Sequence, residues 1–176
     1  MPGDDQTEPQ DDIPGPSAPP EAVDTARALL RGRPQATLAT LVAATAEDAG
    51  PLTGWPYPSL VMVATDGLGR PLLLLSELAL HTRDLRQDGR AALLFEETQG
   101  LENPLTGPRL SVLGQMVQLA GAEAEAARAA YLERHPSAAL YADFPDFRFW
   151  RLDIARAHLV AGFGRIHWLE AGELVG

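Results

Sequence analysis

Residues 57–85 read YPSLVMVATDGLGRPLLLLSELALHTRDL, and the fold is decided there. Residues 57–63 are apolar and β-branched, and Asp66-Gly67 with Gly69 supplies turn chemistry, so a strand and a tight turn are expected. Residues 71–75, PLLLL, form a short continuous apolar run, the pattern of a strand buried on both faces. Ser76 stands where its hydroxyl is able to cap the helix that follows, over residues 78–86, by accepting from an unpaired N–H. Thr82 and Arg83 fall early in that helix. A strand end meeting a helix amino terminus, with a hydroxyl and a guanidinium nearby, suits a phosphate: free N–H groups and partial positive charge meet a planar fork of donors. The competing reading makes Arg83 and Arg86 exposed helix charges that pair with Asp84 or Asp88.

Upstream, residues 36–43 (ATLATLVA) read as a strand, and residues 21–31 as an amphipathic helix ended by Gly32 and Pro34. Residues 52–58 (LTGWPYP) are a proline-punctuated entry to the central hairpin, where Trp55 and Tyr57 either pack or line a pocket. Residues 1–20 are acidic, proline-rich and without apolar period, so a disordered tail is expected before a domain spanning residues 21–176.

Downstream, residues 90–96 read as a buried strand. Residues 109–119 read as a long strand whose internal Gly114 signals a bulge or a close backbone approach. The alanine-rich residues 121–134 are helical, closed by Pro136, and residues 138–144 continue as a short helix or turn. Residues 147–154, 156–163 and 166–169 make the last strands, hinged by Gly162 and Gly164. Six or seven strands without regular βαβ alternation favour an α+β protein, an antiparallel barrel decorated with three helices.

Composition narrows the function. The chain has 176 residues, no cysteine and no lysine, so disulfides, thiolate chemistry and lysine Schiff bases are excluded. Any phosphate partner must be arginine, backbone or hydroxyl. Seven of the acidic groups behind the net charge of −10 lie in residues 1–24, which contain no basic residue. Neither that segment nor the nearly balanced remainder is a basic surface for nucleic acid. No apolar run is long enough for a membrane span and no signal peptide opens the chain, so a cytoplasmic protein is expected. No histidine cluster has metal spacing, and no Walker A or G-x-S-x-G motif occurs.

Residues 56–85, with PRLSVLGQ (108–115) and FRFWRLDIARAHLVAGFGRIHWL (147–169), resemble the FMN-binding split-barrel proteins related to pyridoxamine 5'-phosphate oxidase. Within them the chain looks most like the haem-utilisation (HugZ-like) branch. The resemblance covers residues 25–176. It implies an antiparallel split β-barrel, and an FMN-dependent oxidoreductase that acts as a homodimer on a small-molecule substrate, with the flavin at the subunit interface. By motif match it puts the FMN phosphate on Ser76, His81, Thr82 and Arg83. The ring would run along Ser59, Leu60 and Val61, and Arg109 would reach it from a later strand. The first flavin strand carries no arginine here, so a phosphate lacks charge-assisted contacts worth about 1.5–3 kcal/mol each. Arg165-Ile166-His167 resembles the Arg-Leu-His of the vitamin-B6 oxidases, but no Asp-Arg follows, and GFGRIHW looks like the haem-utilisation branch. A haem-binding or haem-degrading protein is therefore the alternative, with His167 or His158 as the iron ligand and Arg165 nearby. A cofactor-free dimeric module is the third reading.

Overall fold

The computed structural model describes residues 18–44 and 50–176. Residues 1–17, which hold most of the expected tail, and residues 45–49 lie outside them. The first described helix, α1 (Pro20–Gly32), starts with proline at a position where its missing N–H costs nothing.

The strands are β1 (Gln35–Leu41), β2 (Pro56–Met62), β3 (Ala64–Thr65), β4 (Pro71–Ser76), β5 (Arg90–Glu96), β6 (Arg109–Gln118), β7 (Phe147–Val160) and β8 (Ile166–Glu170). They form one antiparallel sheet in the order β2-β1-β5-β6-β7-β4-β3, with β8 on the far half of β7. The expected α+β architecture, an antiparallel split barrel with peripheral helices, is what the chain adopts. Further helices are α2 (Leu80–Gln87), α3 (Gly121–Arg134) and the one-turn α4 (Ala171–Leu174).

The first and last strands of that order, β2 and β3, are consecutive in the chain and joined by Val63 alone. The sheet must therefore curl until its two edges nearly meet. Val63 leaves the ladder at this joint: its N–H donates to the Pro34 carbonyl at 2.9 Å, and its carbonyl accepts from His135 Nε2 at 2.8 Å. The expected hairpin between residues 57–63 and 71–75 is thus corrected. β2 pairs with β1 along its length, and only Ala64 and Thr65 pair with β4. The turn between β3 and β4 follows its sequence, with Asp66 Oδ1 accepting from the N–H groups of Leu68 and Arg70 and with Gly69 at φ +91°. A split remains between β2 and β4.

Two apolar layers hold this shape. Inside the curl, Leu38, Leu73, Leu93, Phe95, Val112 and Leu152 pack against α1. On the outer face of β4 and β7, α3 packs Ala127 and Tyr131 against Leu72, Leu74 and Phe149. The run Leu72–Leu75 is therefore buried on both faces, one pair of leucines in each layer, as its unbroken apolar pattern predicts.

The strands expected over 147–154 and 156–163 are one strand, β7. Gly114 opposes Ile154 and Leu113 opposes Arg156, so Ala155 is an extra residue at a bulge that bends β7 without ending it. That bend lets the first half of β7 pair with β4 and the second with β8. With the two-residue β3 the strand count is eight rather than six or seven.

Candidate cofactor site

The split holds a cavity of about 320 Å³, lined by Leu60, Met62, Leu74, Tyr131, Tyr141 and Phe147 with Ser76 and His81 at its polar side. Each wall has a local cause. β2 contributes Leu60 and Met62, alternate residues of its exposed face, and β4 ends at Ser76 shortly before α2 begins. Tyr131 is the one aromatic side chain of the alanine-rich α3. It is 1% exposed, and burial pushes its hydroxyl pKa upward, so it stays protonated.

Ser76 does not cap α2, as was expected. The helix begins three residues later, after Ala79, whose side chain has no capping oxygen. Ser76 instead donates to Asp146 Oδ2 at 2.7 Å and accepts from the Leu78 N–H at 3.2 Å. His81 sits in the first turn of α2 and reaches across the split to β2, with Nδ1 3.2 Å from Ser59 Oγ. Its Nε2 has no hydrogen-bond partner among the described residues. Burial holds the imidazole below the ordinary histidine pKa, with the Asp84 carboxylate pulling the other way. The half-buried ring is therefore neutral at physiological pH.

The sign of the resulting pH dependence follows. Because the folded pKa lies below the unfolded 6.5, the unfolded chain takes up the proton first as pH falls. The His81 contribution is complete above pH 6.5 and is lost below it. Thermal midpoints measured from pH 7 to 5 should fall more for the wild type than for His81→Gln; parallel curves would contradict this.

The other phosphate-site expectations separate. Ser59, Leu60, Val61, Ser76 and His81 come together around the cavity. Thr82 does not join them: it is fully buried, and its Oγ1 lacks a hydrogen-bond partner among the described residues. Arg83 is exposed and donates to the Leu78 carbonyl at 3.3 Å. Arg109 lies at another cavity, with Phe163 and Ile166, and donates to the Leu105 carbonyl at 2.9 Å. The competing ion-pair reading also changes. Arg86 pairs with Glu77 and Asp88 with Arg90, while Asp84 is buried beneath the helix. A dianion at this corner would meet the Asp146 carboxylate before any free guanidinium. Valine matches threonine in shape and carries no hydroxyl, so Thr82→Val should stabilise the fold by about 1 kcal/mol in urea unfolding. A loss of comparable size would mean that the hydroxyl has a partner.

The C-terminal candidates diverge as well. His158 opposes Trp168 across β7 and β8, with ring centroids 4.7 Å apart, and the Arg156 guanidinium lies 5.1 Å from the Trp168 ring. His167 opposes Leu159, and so belongs to the other face of the same strand pair. Arg165 donates to the Ala161 carbonyl at 2.7 Å, holding the Gly162–Gly164 turn. These residues are remote in register from the split. Trp55 and Tyr57 are exposed rather than part of the cavity wall. No cluster of three potential metal-ligating side chains occurs among the described residues.

Away from α3, the outer face of the sheet exposes Leu60, Leu94, Leu113 and Trp168 among polar neighbours. Leu60, Thr37, Leu94, Ser111, His158 and Trp168 form one cross-strand row from β2 to β8. Leu60 is 72% exposed and lines the split cavity too, so cavity and face meet there.

Comparison with known proteins agrees with this architecture. The family model described as CREG, beta-barrel matches residues 17–174. The chain belongs to the CREG β-barrel family. The chloroplastic non-canonical heme oxygenase HOZ of Arabidopsis thaliana is 36% identical over 120 residues, 68% of this chain and 36% of HOZ. The heme binding protein from Mycobacterium smegmatis is 31% identical with TM-score 0.78, over 89% of this chain and 61% of that one. The chain thus spans about a third of one relative and less than two thirds of the other. A Clostridium acetobutylicum protein of the pyridoxinephosphate oxidase family is 14% identical with TM-score 0.66, over 89% of this chain and 99% of that one, a likeness of fold. No helix among the described residues is long and apolar enough to cross a membrane.

Proposed function

We propose that this protein binds haem, and that turnover of the bound haem is its activity. The observation that carries this reading is the identity of 36% and 31% with two relatives named for haem, each over more than two thirds of this chain. The cavity fits the porphyrin ring and its iron; no arginine among the described residues lines it, so the two propionates would lie toward solvent. Apolar and aromatic walls suit a porphyrin face, and a neutral imidazole is a common axial donor to haem iron. Bound haem would supply iron redox chemistry. The protein's own part is to exclude water with Leu60, Leu74 and Phe147 and to orient the group. The test is titration of purified protein with hemin. A saturable Soret shift at micromolar protein is expected, and a spectrum identical to free hemin would end the reading.

A second reading, FMN binding, is favoured by one observation: Ser76 and His81 line the same cavity beside the start of α2. Quenching of FMN fluorescence on titration supports it, and unquenched fluorescence in a protein that shifts the Soret band selects haem.

We also propose a homodimer through the outer face away from α3, where Leu60, Leu94, Leu113 and Trp168 are exposed. Large apolar side chains exposed along one sheet face mark an interaction surface. Leu60 belongs to both that face and the cavity, so a second copy would border the cofactor site. The double variant Leu94→Asp, Leu113→Asp changes two outward residues on β5 and β6 without touching the interior. Sedimentation velocity should show a wild-type dimer and a folded monomeric variant. A monomeric wild type at micromolar concentration would remove the proposal.

A further inference from the structure

The chain has four histidines, and their surroundings differ. His135 is 7% exposed, and its Nε2 is committed to the Val63 carbonyl at 2.8 Å. His158 packs on Trp168 beside the Arg156 guanidinium, on the sheet face proposed to meet a second copy. His167 opposes Leu159 on the other face of that strand pair, away from the split. His81 alone lines the cavity.

We infer that His81 ligates haem iron in the split cavity through Nε2, with Ser59 as the hydroxyl that holds Nδ1. This rests on the haem reading and assigns its iron donor, in place of His158 or His167. Three features support it. First, an imidazole that binds iron through one nitrogen needs the other held by a fixed partner, which sets both tautomer and ring direction. Ser59 Oγ lies 3.2 Å from Nδ1, and in the tautomer protonated at Nδ1 that N–H donates to the hydroxyl while Nε2 presents its lone pair. Second, Nε2 has no hydrogen-bond partner among the described residues, so its lone pair is open to iron. Third, the ring is held on two elements at once. Its backbone belongs to α2, anchored to β1 through Asp84, and its contact with Ser59 belongs to β2 across the split. A donor fixed in this way changes direction little when a ligand enters.

The arrangement also gives Ser59 a distinct role. It is a positioning residue, not an iron donor, so its loss should weaken binding while leaving the ligand type unchanged. Groups that hold the far nitrogen of metal-binding histidines contribute about 10–100-fold to affinity.

The test is hemin titration of the full chain, read by Soret position and by electron paramagnetic resonance of the ferric state. Wild type, His81→Ala, His81→Gly, Ser59→Ala, His158→Ala and His167→Ala are compared, each checked for folding by circular dichroism. His81→Ala should lose the imidazole-ligated spectrum and bind hemin at least about tenfold more weakly. Imidazole added to His81→Gly should restore the wild-type spectrum. Ser59→Ala should keep the signal type with affinity lowered about tenfold, which keeps the proposal open to test if the His81 variants do not fold. His158→Ala and His167→Ala should match wild type. A folded His81→Ala that keeps the wild-type resonance, or loss of that resonance in His158→Ala or His167→Ala instead, overturns the assignment while leaving haem binding in place. A Soret band that wild type itself fails to shift overturns both.

Discussion

Asp84→Ala is expected to destabilise the fold by about 3–5 kcal/mol, against a total of about 5–15 kcal/mol for a typical domain. Asp84 is fully buried on α2 and accepts from Thr40 Oγ1 and from the Ala43 N–H, both at 2.8 Å. These two bonds tie α2 to the end of β1, and both donors are themselves buried. Alanine leaves a hydroxyl and a backbone N–H without an acceptor in an interior that water does not reach. Each hydrogen bond to a charged group contributes about 1.5–3 kcal/mol, and a stranded donor adds its desolvation cost. Asn keeps one acceptor oxygen for Ala43, and the Thr40 hydroxyl can rotate to accept from the amide, so Asp84→Asn should lose roughly half as much. Urea unfolding of the three proteins checks the order. Equal midpoints for wild type and Asp84→Ala would mean that α2 is anchored by something else. His81 lies one helical turn before Asp84, so folded Asp84→Ala should also bind hemin less tightly than wild type.

The second large effect is expected at Gly114. A Cβ built there falls closer than 3.0 Å to the Asp153 carbonyl oxygen, and 3.1 Å from Ile154 Cα. Both neighbours are backbone of β7, paired to β6 on the spot, so neither is able to move like the end of a long side chain. Gly114→Ala should therefore cost about 2–3 kcal/mol, at the upper end of ordinary overpacking. It should also disturb the bulge at Ala155 that lets β7 serve both β4 and β8. Gly67→Ala is the control, because nothing lies within 4 Å of its added carbon. That variant should stay within about 0.5 kcal/mol of wild type. If the two alanine variants unfold at the same urea concentration, the close approach does not limit the fold.

Both residues mark how far sequence reading reaches. Gly114 was legible as a bulge or close approach, because a glycine inside a strand has few other causes. Asp84 was not. A carboxylate on a short helix between Arg83 and Arg86 looks like an exposed charge, and nothing nearby announces that Thr40 and Ala43 will bring their donors to it from more than forty residues away. Thr82 misled in the same direction: hydroxyl and guanidinium are adjacent in the chain, but on a helix one faces the core and the other the solvent. His81 entered only through resemblance, and its contact with Ser59 joins two elements that sequence alone does not place side by side.

What the sequence determined by itself is what depends on near neighbours. The long strand β6, the doubly buried leucines of β4, the alanine-rich α3 and the Asp66–Gly69 turn all follow from period and turn chemistry within about ten residues. What only the tertiary structure decided is pairing. Val63 gives its N–H to Pro34 and its carbonyl to His135, so β2 turns away from β4 and joins β1. Those two partners lie on opposite sides of the joint in the chain, one in the loop after α1 and the other just past α3. A strand's pattern specifies which face is buried but not which neighbour receives its hydrogen bonds. The cavity exists because that choice fell on β1.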